Sequence, residues 1–207
     1  GASATDIRID GDRITRIAPA LAPLPGEEVL DCGDLAAAPS LANGHAHSAM
    51  TLLRGLGSDL ALMEWLSKAM WPREAKMADE DVYWATRLAA LEMLRSGTTL
   101  CNDMYLHPEA MARAARDSGM RFVLSYALID GLDEEKGALQ RRACEAFFDH
   151  LPDCGALSRF GLAAHSVYAT CPDSIRFLGT MSRERGLPLH VHLGEIRSED
   201  EDCRRLR

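Results

Sequence analysis

Short apolar segments alternate with amphipathic segments from about Pro39 to the end of the chain, and no other pattern restricts the fold as strongly. One apolar segment leads into His45, and four more read TTLCNDM, RFVLSYALI, FGLAAHSVY and LPLHVHLGE. Each of these four follows a helical pattern and is too short to be a helix itself. Strands that alternate with helices form a parallel sheet covered by helices. We therefore predict an α/β fold with five β-to-α steps.

The number of steps limits how such a sheet can close. A (β/α)₈ barrel needs eight steps and about 250 residues, whereas this chain has 207 residues. After Glu195 only the charged stretch IRSEDEDCRRLR follows, which can begin one more helix. We expect either the N-terminal portion of a longer (β/α)₈ barrel, with about five of its eight strands, or an open sheet in its own right.

Two helices can be bounded from their terminal residues. Asp79 is predicted to cap a helix that ends at Gly97, and Pro108 is predicted to begin a helix that Gly119 ends. The first of these helices is expected to bury one face, made of Val82, Ala85, Leu88, Ala89 and Leu91.

The first segment of the chain has a different pattern. Apolar and polar residues alternate on both sides of Asp10-Gly11-Asp12, which is typical of a β-hairpin. We therefore divide the chain into a small β-sandwich element at residues 1–38 and the portion of the barrel at residues 39–207.

Composition excludes several classes of function. The net charge is -8 and the basic residues are dispersed, so we expect no binding to nucleic acid. No apolar run reaches the roughly 20 residues that span a bilayer, and the first residues lack the features of a secretory signal, so we expect a cytoplasmic protein without membrane contact. The six cysteines form no CxxC pair, which argues against a thiolate zinc site.

Histidines at alternate positions form the main candidate site. His45 and His47 share one face of their strand, as do His190 and His192. Such a pair near a strand end either binds a divalent ion, Zn²⁺ or Fe²⁺ above all, or is only the polar end of an ordinary strand. Glu195 lies three residues after His192, where a carboxylate could move the proton of a water on the metal. We expect a packing role for His190.

Several segments together resemble the amidohydrolase superfamily. They are PSLANGHAHSAMTLLRGLGSDLALMEWL, LEMLRSGTTLCNDMY, SGMRFVLSYALIDG, AAHSVYATCP and LHVHLGE, which run from the leading hairpin to the end of the chain. The branch that they resemble contains the S-adenosylhomocysteine and methylthioadenosine deaminases, with guanine deaminase and triazine hydrolases as relatives.

The resemblance implies a metal centre. His45, His47 and His192 match the metal ligands of the family's first and fifth strands, and Glu195 matches its catalytic acid/base. The fourth strand has no lysine of the kind that binuclear members use, so one divalent ion is implied, zinc in the first place and iron as the alternative. The ligands would activate a water for attack on the carbon that bears an amino group, with Glu195 moving the protons.

The resemblance also implies substrate contacts. His165 matches a histidine that contacts substrate in this branch, and Glu74 matches a carboxylate that binds ribose hydroxyls in adenosine-type members. Trp71 lies beside the Glu74 segment and is a candidate for the rim of the pocket. Tyr126 stands where some adenosine-type members carry an arginine.

These correspondences imply a metal-dependent deaminase of an aminated purine nucleoside or a related heterocycle. The alternatives are a triazine-type chlorohydrolase or aminohydrolase, and a catalytically incomplete barrel fragment, because the family's sixth-strand histidine and eighth-strand aspartate would lie beyond Arg207. The expected partner is a small-molecule substrate, and homo-oligomerisation stays open.

Overall fold

The structure, a computed structural model, describes residues 5–33 and 35–206 of the chain. These residues fall into two compact units, and the boundary between the units lies between Pro39 and Ser40. The interpretation of residues 1–38 as a β-sandwich element stays a prediction.

The first unit contains an antiparallel hairpin. Strands β1 (Asp6–Asp10) and β2 (Arg13–Ala18) pair across a turn in which Gly11 has a positive φ of 59°. The Arg8 side chain forms an ion pair with Glu27 at 2.6 Å and so ties the hairpin to the segment that follows it. The predicted hairpin is confirmed.

The second unit is built on a parallel sheet of five strands in sequence order. Its strands are β3 (Leu41–Ala46), β4 (Thr98–Tyr105), β5 (Arg121–Leu128), β6 (Arg159–Ser166) and β7 (Leu189–His192). All four neighbouring pairs are parallel, which requires a crossover between every two strands. Each predicted strand is therefore present.

Helices lie in these crossovers, and one more helix follows β7. They are α1 (Leu62–Glu64), α2 (Trp71–Glu74), α3 (Asp79–Arg95), α4 (Pro108–Ser118), α5 (Glu134–Asp149), α6 (Pro172–Arg185) and α7 (Glu199–Leu206), with a 3₁₀ turn at Ser48–Leu53 and a π-helical segment at Trp65–Met70. None of the described helices is long and apolar enough to cross a bilayer.

Helix α4 has the predicted ends, whereas the predicted cap of α3 is wrong. Pro108 begins α4, and Gly119 ends it with a φ of 67°, which glycine adopts without strain. The N-cap of α3 is Ala78, whose backbone N–H donates to the Asp81 carboxylate at 2.9 Å. Asp79 cannot serve as the cap because it lies inside the first turn and pairs with His107 at 2.6 Å.

The buried face of α3 also differs from the prediction at two positions. Leu88 is 40% exposed and Leu91 is 54% exposed, because at about 3.6 residues per turn both point away from the stripe that faces the rest of the unit. A stripe at i, i+3, i+4, i+7 and i+8 from the first buried residue is what a helix turns toward its core. The residues in that stripe are Val82, Ala85, Thr86, Ala89 and Ala90.

The main core includes residues of the central strands and of the helices. Phe122 and Leu124 of β5 and Leu162 of β6 are fully buried and belong to one apolar cluster that includes residues of α3, α4, α5 and α6. The outer strands β3 and β7 are half open, because each has a neighbour on one side only.

The sheet is strongly curled. In a flat sheet β3 and β7 would lie about 19 Å apart, at roughly 4.8 Å for each of the four steps between them. Yet the ring of His45 on β3 lies 4.9 Å from the ring of His190 on β7. The two outer strands therefore face each other across the concave side of the sheet. This confirms the predicted fold as part of a (β/α)₈ barrel.

Candidate metal centre

The histidines meet because parallel strands end at the same edge of the sheet. His45 is the second-last residue of β3, and His47 follows that strand directly. His192 is the last residue of β7. The curl of the sheet brings the ends of these two outer strands together. The three side chains thus converge from the first and the last strand of the sheet.

The three imidazoles have the spacing of a ligand set. One nitrogen each from His45, His47 and His192 can be chosen so that all lie within 4.8 Å of one another. The Nε2 atoms of His47 and His192 are 3.1 Å apart. Nitrogens bound to one Zn²⁺ at about 2.0–2.1 Å must lie within about 4 Å of each other, so a small inward movement of the rings is enough to hold a zinc-type ion.

Backbone carbonyls fix two of the rings. The Nδ1 of His47 donates to the carbonyl oxygen of Met104 at 2.6 Å, and the Nδ1 of His192 donates to the carbonyl oxygen of His165 at 2.5 Å. A carbonyl only accepts, so each Nδ1 carries the proton and each Nε2 keeps a free lone pair. Metal-binding histidines in proteins are oriented by this kind of second contact.

The third ring has a histidine as its partner. The Nδ1 of His45 lies 2.9 Å from the Nε2 of His190. For His45 to offer its Nε2 to a metal, its Nδ1 must donate the proton and His190 must accept it. The Nδ1 of His190 is buried and has no partner among the described residues. His190 therefore contacts the Nδ1 of His45 and leaves the Nε2 of His45 for the metal.

Burial favours the neutral form of four histidines in and around the centre. Burial is the largest cause that lowers the pKa of His45 and His47, and the Glu195 carboxylate opposes it by raising the pKa of both. Burial likewise lowers the pKa of His165 and of His190 to about 4. Neutral imidazole is the form that binds metal, so the lowered pKa of His45 and His47 favours ligation by both.

Glu195 lies in the loop that follows β7. Its Oε2 accepts a hydrogen bond of 2.6 Å from the hydroxyl of Tyr168, a residue in the loop after β6. The ring of Tyr168 lies 6.2 Å from that of His165, and the charge of Glu195 raises the pKa of both His45 and His47. A carboxylate in this place can exchange protons with a water that reaches the centre.

The three predicted substrate residues differ in where they lie. The ring of His165 lies 4.9 Å from that of His192, so His165 borders the group of three candidate ligands. Glu74 is half-buried, which raises its pKa, and the hydroxyl of Tyr105 at the end of β4 lies close enough to lower it in part. Trp71 packs against a small apolar cluster with Leu66 and other neighbours.

One further residue supports the centre. Asp103 of β4 is completely buried, and its Oδ1 accepts the backbone N–H of Ser48, the residue after His47, at 2.9 Å. Its Oδ2 and the Ser48 hydroxyl have no partner in the described part of the chain. No sequence pattern identified Asp103, because its amide partner is 55 positions away and no local spacing relates the two.

Comparison with known proteins gives the family. The model of the amidohydrolase family matches residues 36–206, which is most of the chain. A 5'-deoxyadenosine deaminase of Methanoregula boonei is 43% identical over 179 residues, which cover 86% of this chain and 40% of the relative. A 5-methylthioadenosine/S-adenosylhomocysteine deaminase of Pyrococcus abyssi is 38% identical over 94% of this chain and 46% of its own length.

A solved structure is similar as well. An adenosine deaminase from Xanthomonas campestris with bound zinc superimposes with a TM-score of 0.68 and is 33% identical, over 79% of this chain and 38% of that chain. This chain thus spans less than half the length of each of the three relatives.

Proposed function

This chain belongs to the amidohydrolase family, and from that premise we propose that it carries the metal-binding half of a deaminase that acts on adenosine-type nucleosides. His45, His47 and His192 would hold one divalent ion, zinc in the first place. The observation that carries the proposal is the convergence of these three imidazoles within 4.8 Å. The two carbonyl contacts that direct Nε2 of His47 and His192 inward support it further.

The reaction follows from the donors and acceptors of the site. A divalent ion held by neutral imidazoles supplies Lewis acidity, which lowers the pKa of water toward neutrality. Glu195 then accepts a proton from the water that adds to the carbon bearing the amino group. The same carboxylate returns a proton to the nitrogen, which leaves as ammonia. Protons balance in this sequence, since Glu195 ends as it began.

The substrate class is supported by the names of the relatives and by two side chains, the imidazole of His165 and the carboxylate of Glu74. The relatives are named as deaminases of 5'-deoxyadenosine and of 5-methylthioadenosine or S-adenosylhomocysteine. His165 borders the cluster and would contact the heterocycle. Glu74, beside the end of β4, would accept hydrogen bonds from ribose hydroxyls, with Trp71 at the rim. Triazine hydrolysis, a cytoplasmic location and homo-oligomerisation stay predictions.

The ligand assignment can be tested by metal analysis. Replacing His47 with Ala removes one imidazole of three. Metal affinity should fall at least about 10-fold, because mutation of a residue that only orients a ligand already lowers affinity by about that factor. The measurement is zinc content by plasma mass spectrometry after dialysis against a weak chelator. His150→Ala is the matched control, because His150 is exposed at the end of α5 and its Nδ1 lies 3.3 Å from the Ala146 carbonyl oxygen, away from the candidate centre.

Full retention of zinc by the His47 variant would refute the ligand assignment. Loss of zinc together with release of ammonia from adenosine-type nucleosides by the parent protein supports the whole proposal. Zinc binding without turnover of any such nucleoside would leave the metal centre and favour the catalytically incomplete barrel fragment.

A further inference from the structure

The loop that carries Glu195 is held by a carboxylate from the next helix. The two oxygens of Glu199 accept the backbone N–H groups of Gly194 at 2.8 Å and of Glu195 at 2.9 Å. Glu199 is only 4% exposed, and both of its carboxyl oxygens have a hydrogen-bond partner, as a buried polar group requires. Hydrogen bonds between a carboxylate and two successive amides fix the path of the backbone at this position.

That path needs an unusual residue. Gly194 has a φ of 70°, which residues with a side chain adopt at a cost in free energy. The chain bends at Gly194, two residues after the end of β7, and the charge of Glu195, the next residue, acts on the imidazole of His45. The backbone of the loop is therefore specified by Gly194 and Glu199 together.

The side chain of Glu195 is held from the other side. The Tyr168 hydroxyl donates to Oε2 of Glu195 at 2.6 Å, a short distance typical of a hydrogen bond to a charged acceptor. Partial burial raises the pKa of Tyr168, so the phenol keeps its proton and remains a donor. Because the Glu195 side chain is exposed, it would sample several rotamers without this contact.

We propose that Tyr168 and Glu199 are positioning residues for the proton shuttle. Glu199 fixes the backbone at Gly194 and Glu195, and Tyr168 occupies Oε2 of Glu195, so that Oε1 is the oxygen that exchanges protons with water. The inference rests on the proposed function of Glu195, and it assigns roles to two residues that lie 27 and 4 positions from it.

The first test compares two phenol deletions in the full chain. Tyr168→Phe should lower kcat about 10- to 100-fold, as small misplacements of a reacting group do, while KM and zinc content stay unchanged. Tyr83→Phe is the matched control, because the Tyr83 hydroxyl also donates to a carboxylate, Asp117, at 2.9 Å but at the surface. In a Glu195→Gln background, Tyr168→Phe should cause no further loss.

The second test needs no turnover. Glu199→Gln replaces one accepting oxygen with an NH₂ group, which opposes an amide N–H, so amide hydrogen exchange at Gly194 and Glu195 should become about 10-fold faster or more. Unchanged exchange in this variant would overturn the role of Glu199. An unchanged kcat in Tyr168→Phe, or equal losses with and without the Glu195 carboxylate, would overturn the role of Tyr168.

These readouts separate the two proposals. If the parent protein binds no zinc, the proposed function fails. If it binds zinc but releases no ammonia from any nucleoside tested, the chain is the metal-binding half without activity of its own. The amide exchange rates then test the role of Glu199. The role of Tyr168 is tested by the NMR chemical shift of the Glu195 side-chain carboxyl carbon. This shift should change in Tyr168→Phe but not in Tyr83→Phe.

Discussion

At the scale of single residues, the candidate centre depends on how each ring nitrogen is used. His47 and His192 each commit Nδ1 to a backbone carbonyl, and His45 commits Nδ1 to His190. These contacts fix the tautomers before any metal arrives, so little rearrangement of protons is needed on binding. The pattern of two HxH pairs in the sequence indicated the ligands but could not indicate these partners.

A buried carboxylate gives a prediction about pH. Burial raises the pKa of Asp103 to about 6, above its ordinary value of 3.8. The folded state therefore binds this proton more tightly than the unfolded state, so the contribution of Asp103 to stability is complete below pH 3.8 and is lost as pH rises through about 6. Asp103→Asn keeps an acceptor for the Ser48 N–H but removes the charge.

We expect the free energy of unfolding of Asp103→Asn, relative to the parent, to increase between pH 4 and pH 7 by up to about 3 kcal/mol. The measurement is urea unfolding of both proteins with a chelator present. Asp117→Asn should show the opposite sign and in a lower pH range, near and below pH 3.8, since Arg116 and Tyr83 lower the pKa of the Asp117 carboxyl from that value. A difference between Asp103→Asn and parent that does not vary with pH would contradict this account.

At the scale of strands and helices, the sequence was informative about order and less so about faces. The five strands, the hairpin and the ends of α4 follow from local patterns of apolar residues, glycine and proline. The cap of α3 could not be predicted because Asp79 pairs with His107, 28 positions away. Leu88 and Leu91 were misplaced because they are apolar, although their positions in the helical repeat put them on the side away from the stripe that begins at Val82.

The contact between β6 and β7 gives a prediction about the metal centre. A Cβ atom at Gly161 on β6 would lie 3.0 Å from Cγ and 3.1 Å from the carbonyl oxygen of Pro188, directly before β7. Gly161→Ala should therefore push β7 away, displace His192, and lower zinc affinity by about 10-fold, with a loss of stability of about 1–3 kcal/mol.

Gly179→Ala is the matched control for that change. Gly179 lies within α6, and its nearest neighbour to an added Cβ is the Arg183 side chain at 3.6 Å, an ordinary contact. This variant should keep full zinc affinity and gain about 0.5–1 kcal/mol of stability, as alanine does over glycine inside a helix. Thermal unfolding and zinc titration check both proteins. Equal zinc affinity in the two variants would show that the position of β7 does not govern the centre.

At the scale of the whole chain, the site could be predicted only in part. Ligands that share a strand or lie at strand ends have a spacing that is visible in the sequence. His45, His47 and His192 could be predicted for this reason. Tyr168 and Glu199 had no such signal, because their contacts with the Glu195 loop depend on how the loops after β6 and β7 fold against each other. Side chains that act through another residue are visible only when the strand ends have been brought together.

The most direct measurement is X-ray absorption at the zinc edge on the chain loaded with an equimolar amount of zinc. The account predicts scattering from three imidazole nitrogens at about 2.0–2.1 Å, with lighter atoms completing the shell. The spectrum of His47→Ala should show a lower imidazole count or no bound zinc, and that of His150→Ala should equal the parent. Sulfur scattering at about 2.3 Å, or an imidazole count unchanged by the loss of His47, would contradict the proposed centre.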